Sequence, residues 1–138
     1  AHAGLAQGDI DQLDKTWRAE AKKKGGPLVD GVMGRPLSGF LKAKKEASQG
    51  LIDEMFVMDG RGLNVGQSDV TSDYWQGDEP KWQQTYAVGP DAIMIDEVEF
   101  DESTKSFQAQ VSTTIVDPAS GAPIGAITVG VNVEKLTE

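Results

Sequence analysis

Apolar side chains repeat at helical spacing near the start of the chain. One such stripe consists of Ile10, Leu13, Trp17 and Ala21. This spacing is typical of a helix that buries one face. Asp9 stands at a capping position before the stripe, and the Gly-Gly-Pro run at 25–27 follows it. The pattern predicts a first amphipathic helix, capped by Asp9, that ends before residue 25.

A second helix is predicted to begin near Pro36, because proline is favoured in the first helical turn. It is predicted to end at Gly50. Its apolar side chains are Leu37, Phe40, Leu41 and Ala47. The intervening residues 28–35 include apolar side chains and two glycines, and their pattern does not decide between a helix and a loop.

From residue 51 onward the apolar period changes to that of β-strands. Strands are predicted at residues 51–58, 63–68, 93–100, 106–116 and 124–133. Short turns join three pairs of these strands, at 59–62, 101–105 and 117–121, which favours antiparallel neighbours. We therefore predict one α+β domain over residues 1–138. Helices in 1–50 pack on one face of a five-stranded antiparallel sheet in 51–138, which carries an inserted helix at 78–88.

The last two predicted strands each have one apolar and one small, polar face, because successive side chains of a strand point to opposite sides. The apolar face is expected to pack on the N-terminal helices. The other face is either open to water or covered by residues 69–88. That segment concentrates the large polar aromatics Tyr74, Trp75, Trp82 and Tyr86. Since such rings seek burial, they favour a cover with a small hollow beneath it.

Composition limits the chemistry of this domain. The 138 residues include 22 acidic and 13 basic side chains, one histidine and no cysteine, for a formal net charge of −9. Such an acidic chain repels phosphate backbones, so no nucleic-acid partner is expected. Without cysteine and with only His2, thiolate nucleophiles, disulfides and multi-histidine metal sites are excluded. No apolar run approaches the roughly 18 residues of a membrane span, so we expect no membrane insertion of this chain.

A family resemblance lies in four segments: residues 51–59, 62–68, 71–79 with Lys81 and Trp82, and the hairpin at 117–127. They resemble the Cache (PDC) family of extracytoplasmic PAS-like sensor domains, over about residues 36–136. The Asp-Tyr-Trp-Gln-Gly-Asp-Glu string at 73–79 is its most distinctive part. The chain most resembles a small bacterial subgroup of exported proteins with a single such domain.

The resemblance implies a PAS-like fold, with a ligand pocket between one sheet face and the covering loop and helix. It also implies ligand binding in signal transduction and a bacterial, periplasmic location, the signal peptide being absent from this chain. The paired Arg, Tyr and Asp pattern of Cache domains that bind amino acids is not found, so that ligand class is not carried over. A homodimer through the N-terminal helix is the assembly that we consider.

The predicted ligand is a small polar organic molecule held between the sheet and residues 69–88. The candidate ligand-binding residues are Asp73, Tyr74, Trp75, Asp78, Lys81, Trp82, Gln110, Ser112, Thr114 and Thr128. The aromatic rings would supply apolar walls, and Asp73, Asp78 or Lys81 would supply charge. Hydroxyl and amide groups of the last two strands would supply hydrogen bonds. An inward-pointing Lys81 would favour an anionic ligand, and the neighbouring carboxylates would favour an amine.

Other interpretations remain open from the sequence. The aromatics could instead form a minor core or meet a protein partner in an interaction module without a small ligand. The carboxylates at 69–79 do not follow the spacing of an EF-hand loop, so calcium is a weak alternative. No nucleophile has a visible base partner, so we expect no enzyme, and no motif predicts a cofactor or a metal.

Overall fold

The structure is a computed structural model that describes residue 2, residues 4–102 and residues 105–137. The helices are α1 (Gln7–Lys22), α2 (Pro27–Met33), α3 (Pro36–Ala47), the short α4 (Pro80–Gln83) and a 3-10 helix at Val133–Thr137. The strands are β1 (Ile52–Asp59), β2 (Asn64–Gln67), β3 (Ile93–Ile95), β4 (Glu99–Asp101), β5 (Ser106–Val116) and β6 (Pro123–Asn132). Among the described residues, none of the helices combines the length and the apolar character that a membrane crossing requires.

The helices differ from prediction at Asp9 and Phe40, and they decide one stretch that the pattern left open. Asp9 is the third residue of α1 and not its cap; its carboxylate accepts a hydrogen bond from the backbone N–H of Ala6 at 3.1 Å. Phe40 does not belong to the buried face of α3, since it is 56% exposed and the ammonium of Lys44 lies over its ring. The undecided stretch at 28–35 forms most of α2, whose first turn contains Pro27.

The sheet is antiparallel throughout, in the order β2-β1-β6-β5-β3, with β4 also paired to β5. β3 and β4 pair with successive parts of β5 along the same edge of the sheet. The predicted five-stranded antiparallel sheet of an α+β fold is therefore confirmed, with its edge strand divided into two. The division falls where the Asp96 carboxylate accepts a hydrogen bond from the backbone N–H of Glu97 at 2.8 Å. Such a local bond competes with the strand ladder, which explains why the predicted strand at 93–100 is interrupted.

The helices cover the sheet mainly at β1 and β2. Leu37 of α3 packs so closely on Gly66 that a Cβ atom there would lie 2.5 Å from Leu37 Cγ. The apolar side of β5 is therefore less covered than expected, and Phe107 is 46% exposed. On the opposite, polar side Thr128 is 0% exposed. The polar face of the last two strands is thus the more deeply buried one.

The helix predicted at 78–88 is present only as α4, and turns occupy the following residues to Val88. The hydroxyl of Thr85 donates to the carbonyl of Lys81 at 2.6 Å. This side-chain bond satisfies a carbonyl at the end of α4 and favours a turn over helix continuation. The predicted turn at 101–105 includes residues 103 and 104, which lie outside the described residues.

Candidate functional site

A cavity of about 1040 Å³ lies against one end of the polar sheet face. Its floor is formed by side chains of β1 and β5, namely Glu54, Phe56, Gln108 and Gln110. One wall consists of residues between 70 and 81 with the end of α1 beside them, and the opposite wall consists of residues between 96 and 101. The volume is close to the upper end of the range of about 300–1,000 Å³ that is usual for small-molecule sites.

Gly130 of β6 creates the depth of the floor. It pairs with Glu54 on one side and with Gln110 on the other. With no side chain between them, Gln110 Nε2 donates a hydrogen bond to Glu54 Oε1 at 3.1 Å. A Cβ atom at position 130 would lie 2.8 Å from Gln108 Cδ and 2.9 Å from Glu54 Cγ. Any larger residue here would push polar side chains into the cavity.

The other end of the same face is filled by aromatic rings. Trp82 and Tyr86 stack with their ring centres 5.3 Å apart and pack against Phe56, Met58 and Ala126. The indole N–H of Trp82 donates to the carbonyl of Asp59 at 3.1 Å. The segment at 69–88 therefore covers the sheet, but its rings close the apolar end and leave the polar end hollow.

The hydroxyl groups near the middle of this face are satisfied within the protein. Ser112 and Thr128 are hydrogen-bonded to each other at 2.8 Å. Thr114 donates to the carbonyl of Gly89 at 2.7 Å. These three side chains tie β5, β6 and the 84–92 region together, and none of them lines the cavity.

The wall at 70–76 is held in place by α1. Asp14 Oδ1 accepts hydrogen bonds from the backbone N–H groups of Tyr74 at 2.8 Å and Trp75 at 3.0 Å. The indole of Trp17 donates to the carbonyl of Thr71 at 2.8 Å. Hydrogen bonds to a carboxylate are among the stronger ones in proteins, so Asp14 fixes the course of this wall.

Tyr74 and Trp75 point away from the cavity. The ring of Tyr74 stacks on Trp17 with centres 4.9 Å apart, within a core formed with α1 and α2. The indole N–H of Trp75 donates to the carbonyl of Arg61 at 2.9 Å. Both rings therefore stabilise the scaffold behind the wall.

The charged side chains of the cavity are close to one another. Asp73 Oδ1 accepts a hydrogen bond from Gln76 Nε2 at 2.8 Å, and Asp73 Oδ2 lies 3.7 Å from the Arg18 guanidinium. Lys81 Nζ lies 3.5 Å from Glu79 Oε2 and 5.3 Å from the ring centre of Phe56. Arg18 and Lys81 thus offset part of the negative charge.

Three cavity carboxyl groups resist ionisation. Burial is the largest cause that raises the pKa of Glu54, followed by the charge of Asp101. Burial and the charge of Asp14 raise the pKa of Asp73. Burial also raises the pKa of Glu79, although Lys81 opposes the shift. Lys81 and Gln110 oppose it at Glu54 as well. Each of these three side chains is therefore less stable in its ionised form than an ordinary exposed carboxylate.

Of the ten residues predicted to bind a ligand, Asp73, Lys81 and Gln110 line this cavity. The others lie elsewhere: Asp78 is exposed, and Tyr74, Trp75, Trp82, Ser112, Thr114 and Thr128 pack in the surrounding scaffold. Sequence reasoning did not select Glu54, although the adjacent carboxylates Asp53 and Glu54 interrupt the apolar run of β1 and are a usable signal. It also missed Gln76 and Glu79 as a pair, and the wall at 96–101.

No metal centre is visible in the parts of the chain that the structure describes: no group of three or more His, Asp or Glu side chains is arranged to hold an ion. The weak calcium interpretation of the carboxylates at 69–79 therefore has no support in the geometry. What the cavity offers instead is a mixture of carboxylates, amides, ammonium and guanidinium groups and the two aromatic rings of Phe56 and Phe100.

The fold is similar to solved bacterial sensor domains. The V. cholerae histidine kinase DctB sensor domain superposes with a TM-score of 0.53 at 11% identity, over 90% of this chain and 44% of that one. The ligand-binding domain of the Campylobacter jejuni chemoreceptor Tlp3, in complex with L-norvaline, gives 0.54 at 13% identity, over 94% and 59%. That of the Pseudomonas fluorescens chemoreceptor CtaA, in complex with L-serine, gives 0.53 at 11% identity, over 94% and 60%.

These similarities confirm the fold predicted from the resemblance to Cache sensor domains. At 11–13% identity they concern the fold alone. The chain spans 44–60% of the length of these three domains. Neither a protein-family model nor a curated protein matches the sequence.

Proposed function

We propose that this domain is an extracytoplasmic sensor module that binds a small polar organic molecule and passes its occupancy on as a signal. The observation that carries the proposal is the cavity of about 1040 Å³ between the polar end of the sheet and the wall at 70–81. It has an apolar ring and several hydrogen-bonding side chains in one concave site, which is the usual character of a ligand pocket. The structurally similar Tlp3 and CtaA domains, solved with amino acids bound, support a binding role for this fold.

In this proposal Asp73, Lys81 and Gln110 keep the roles predicted for them, and Glu54 and Gln76 join them as further contacts. Binding would shift a pre-existing equilibrium toward the state in which wall and floor are drawn together. The neighbours named as sensor domains favour binding over catalysis. We also propose a periplasmic location, which the same comparison supports.

The test is a thermal-shift screen of small polar metabolites, with native mass spectrometry of the freshly purified protein to detect a retained compound. Gln110→Leu should abolish the ligand-induced rise in melting temperature because it removes a floor contact. Ser112→Ala, on the same strand and face but outside the cavity, is the matched control and should retain it. A loss in Ser112→Ala with full retention in Gln110→Leu would contradict this placement.

A second candidate function is a protein-interaction module without a small ligand. The aromatic cluster does not favour it, because Tyr74 is buried and Trp82 packs on the sheet. The exposed apolar edge does favour it: Ile95 of β3 is 73% exposed, and the rings of Phe100 and Phe107, which pack edge to face, are 47% and 46% exposed. We take a second copy of this chain as the partner to test, since isologous pairing would cover the same apolar patch on both copies.

The predicted homodimer through the N-terminal helix stays a prediction. The exposed side of α1 carries mainly polar residues, among them Asp11, Gln12 and Lys15. Sedimentation velocity distinguishes the two surfaces: Ile95→Lys should dissociate a dimer that uses the sheet edge, and Lys15→Glu should weaken one that uses the helix. If the protein is a monomer at all concentrations, both dimer interfaces are rejected.

A further inference from the structure

The cavity is acidic as well as polar. Among the described residues that line the cavity are seven with carboxylate and three with basic side chains. Two of the bases are engaged by carboxylates, since Arg18 Nε lies 2.9 Å from Asp14 Oδ2 and Lys81 Nζ lies 3.5 Å from Glu79 Oε2. The third, Lys22, is exposed at the end of α1. A concave site with this balance attracts cations.

Two buried acceptor atoms at the cavity lack a hydrogen-bond donor. Gln76 is 2% exposed, and its Oε1 accepts no hydrogen bond from the described part of the chain. The amide cannot simply be reversed, because its Nε2 donates to the Asp73 carboxylate at 2.8 Å. Glu79 Oε2 is also buried without a hydrogen bond, and the Lys81 ammonium at 3.5 Å is only an ion-pair neighbour. Buried acceptor atoms in proteins normally receive a hydrogen bond. Both of these atoms are therefore suited to bind a donor group of a ligand.

A donor that carries positive charge fits this part of the cavity best. Gln76 adjoins Asp73, whose ionised form is disfavoured by burial and by Asp14, as the raised pKa of Asp73 indicates. Glu79 shows the same upward shift of its pKa, mainly through burial. A bound group that donates several hydrogen bonds and carries positive charge would satisfy the amide oxygen and stabilise both carboxylates. An ammonium group has three donors and no acceptor, which fits this set.

We propose that the cavity selects an organic cation with primary amino groups, one of which donates hydrogen bonds to Gln76 and Glu79 beside Asp73. The cavity lining also includes a second set of carboxylates, at Asp96, Glu97 and Glu99, and in this proposal they receive a second amino group. Because no described group of side chains is arranged to hold a metal ion, the geometry favours an organic cation over a bare one. This inference rests on the proposed ligand-binding function and names its chemical class.

The experiment compares four molecules of equal chain length by isothermal titration calorimetry with the full chain: 1,4-diaminobutane, 4-aminobutanoate, succinate and 1,4-butanediol. We expect 1,4-diaminobutane to bind at least about tenfold more tightly than 4-aminobutanoate, since each charge-assisted hydrogen bond that is lost weakens binding substantially. Succinate and the diol should bind least. Added salt should weaken the diamine most, because screening acts on charge pairs.

Two variants locate the amino group. Glu79→Gln and Asp73→Asn should each weaken binding of 1,4-diaminobutane by about tenfold or more. Because burial disfavours the ionised form of both carboxylates and raises their pKa, these variants should melt no lower than the wild type. Glu46→Gln is the matched control, since Glu46 is exposed on α3 and outside the cavity. It should bind like the wild type.

Three outcomes would overturn the inference. If succinate binds more tightly than the diamine, the cavity prefers anions; small-ligand binding then stands and the cation assignment fails. If Glu79→Gln and Asp73→Asn both bind the diamine like the wild type, the amino group lies elsewhere. If none of the four molecules binds at millimolar concentration, the cation assignment is rejected, and the wider metabolite screen alone decides the proposed function.

Discussion

Asp14→Ala tests whether α1 holds the cavity wall. In the folded protein one carboxylate oxygen accepts hydrogen bonds from the backbone N–H groups of Tyr74 and Trp75, at 2.8 and 3.0 Å. The other oxygen lies 2.9 Å from the Arg18 guanidinium. The substitution removes all three interactions while α1 keeps a residue with high helix propensity.

The expected loss can be worked out from these contacts. A hydrogen bond to a charged group contributes about 1.5–3 kcal/mol, and two are lost. The ion pair with Arg18 adds little, because Arg18 is 55% exposed and such pairs contribute at most about 1 kcal/mol. Loss of the repulsion between Asp14 and Asp73 offsets part of the change. We expect the free energy of unfolding to fall by about 2–4 kcal/mol.

Urea unfolding measures this change, and hydrogen exchange locates it. The amides of Tyr74 and Trp75 should exchange faster in Asp14→Ala than in the wild type, by a larger factor than amides of β5 and β6. Asp11→Ala is the matched control on the same helix, since Asp11 only accepts an exposed hydrogen bond from Gln7; it should change stability by less than about 0.5 kcal/mol. Equal stability of Asp14→Ala and the control, with unchanged exchange at residues 74 and 75, would refute the reasoning.

Four further substitutions test the floor and the sheet face beside it. Glu54→Gln should stabilise the ligand-free protein at neutral pH, because burial raises the pKa of Glu54. The gain in free energy of unfolding, measured in urea, should vanish below pH 4.5, where Glu54 is protonated in both states. It should grow as the pH rises from 4.5 through the raised pKa of folded Glu54. Gly130→Ala should lower stability by about 1–3 kcal/mol by displacing Gln108, and calorimetry should show weaker ligand binding; unchanged binding would contradict the floor geometry. Ser112→Ala should lose about 1 kcal/mol in urea unfolding yet keep ligand affinity. Gln110→Leu should lose affinity and, with the hydrogen bond to the Glu54 carboxylate, about 1.5–3 kcal/mol of stability.

The sheet was largely predictable because the sequence patterns that specify its strands lie within each strand and its flanking turns. The strand predicted at 106–116 coincides with β5, since alternation of side chains and the flanking turns specify a strand within its own sequence. The interrupted edge was not predictable from alternation, because one hydrogen bond at Asp96 and Glu97 takes the chain out of the ladder. The same holds for α4, which ends where Thr85 bonds to the carbonyl of Lys81.

The candidate site was less predictable because long-range packing decides it. The concentration of rings at 74–86 indicated a covered sheet, but not which surface each ring meets. Tyr74 stacks on Trp17, 57 positions earlier, so its ring serves the helical core. Gln76 and Glu79 become a pair of unsatisfied acceptors only when the wall is folded against the sheet. No local sequence pattern predicts this arrangement, because it depends on contacts between distant parts of the chain.

An NMR titration tests the central claim most directly, using ¹⁵N-labelled protein and the molecule that gives the largest thermal shift. The indole N–H groups of Trp75 and Trp82 donate to the backbone carbonyls of Arg61 and Asp59, which lie outside the cavity lining. We predict that these two signals stay in place while the side-chain amide signals of Gln76 and Gln110 move with saturation. Movement of the indole signals with unchanged glutamine amides would show that the ligand binds among the rings and not in this cavity.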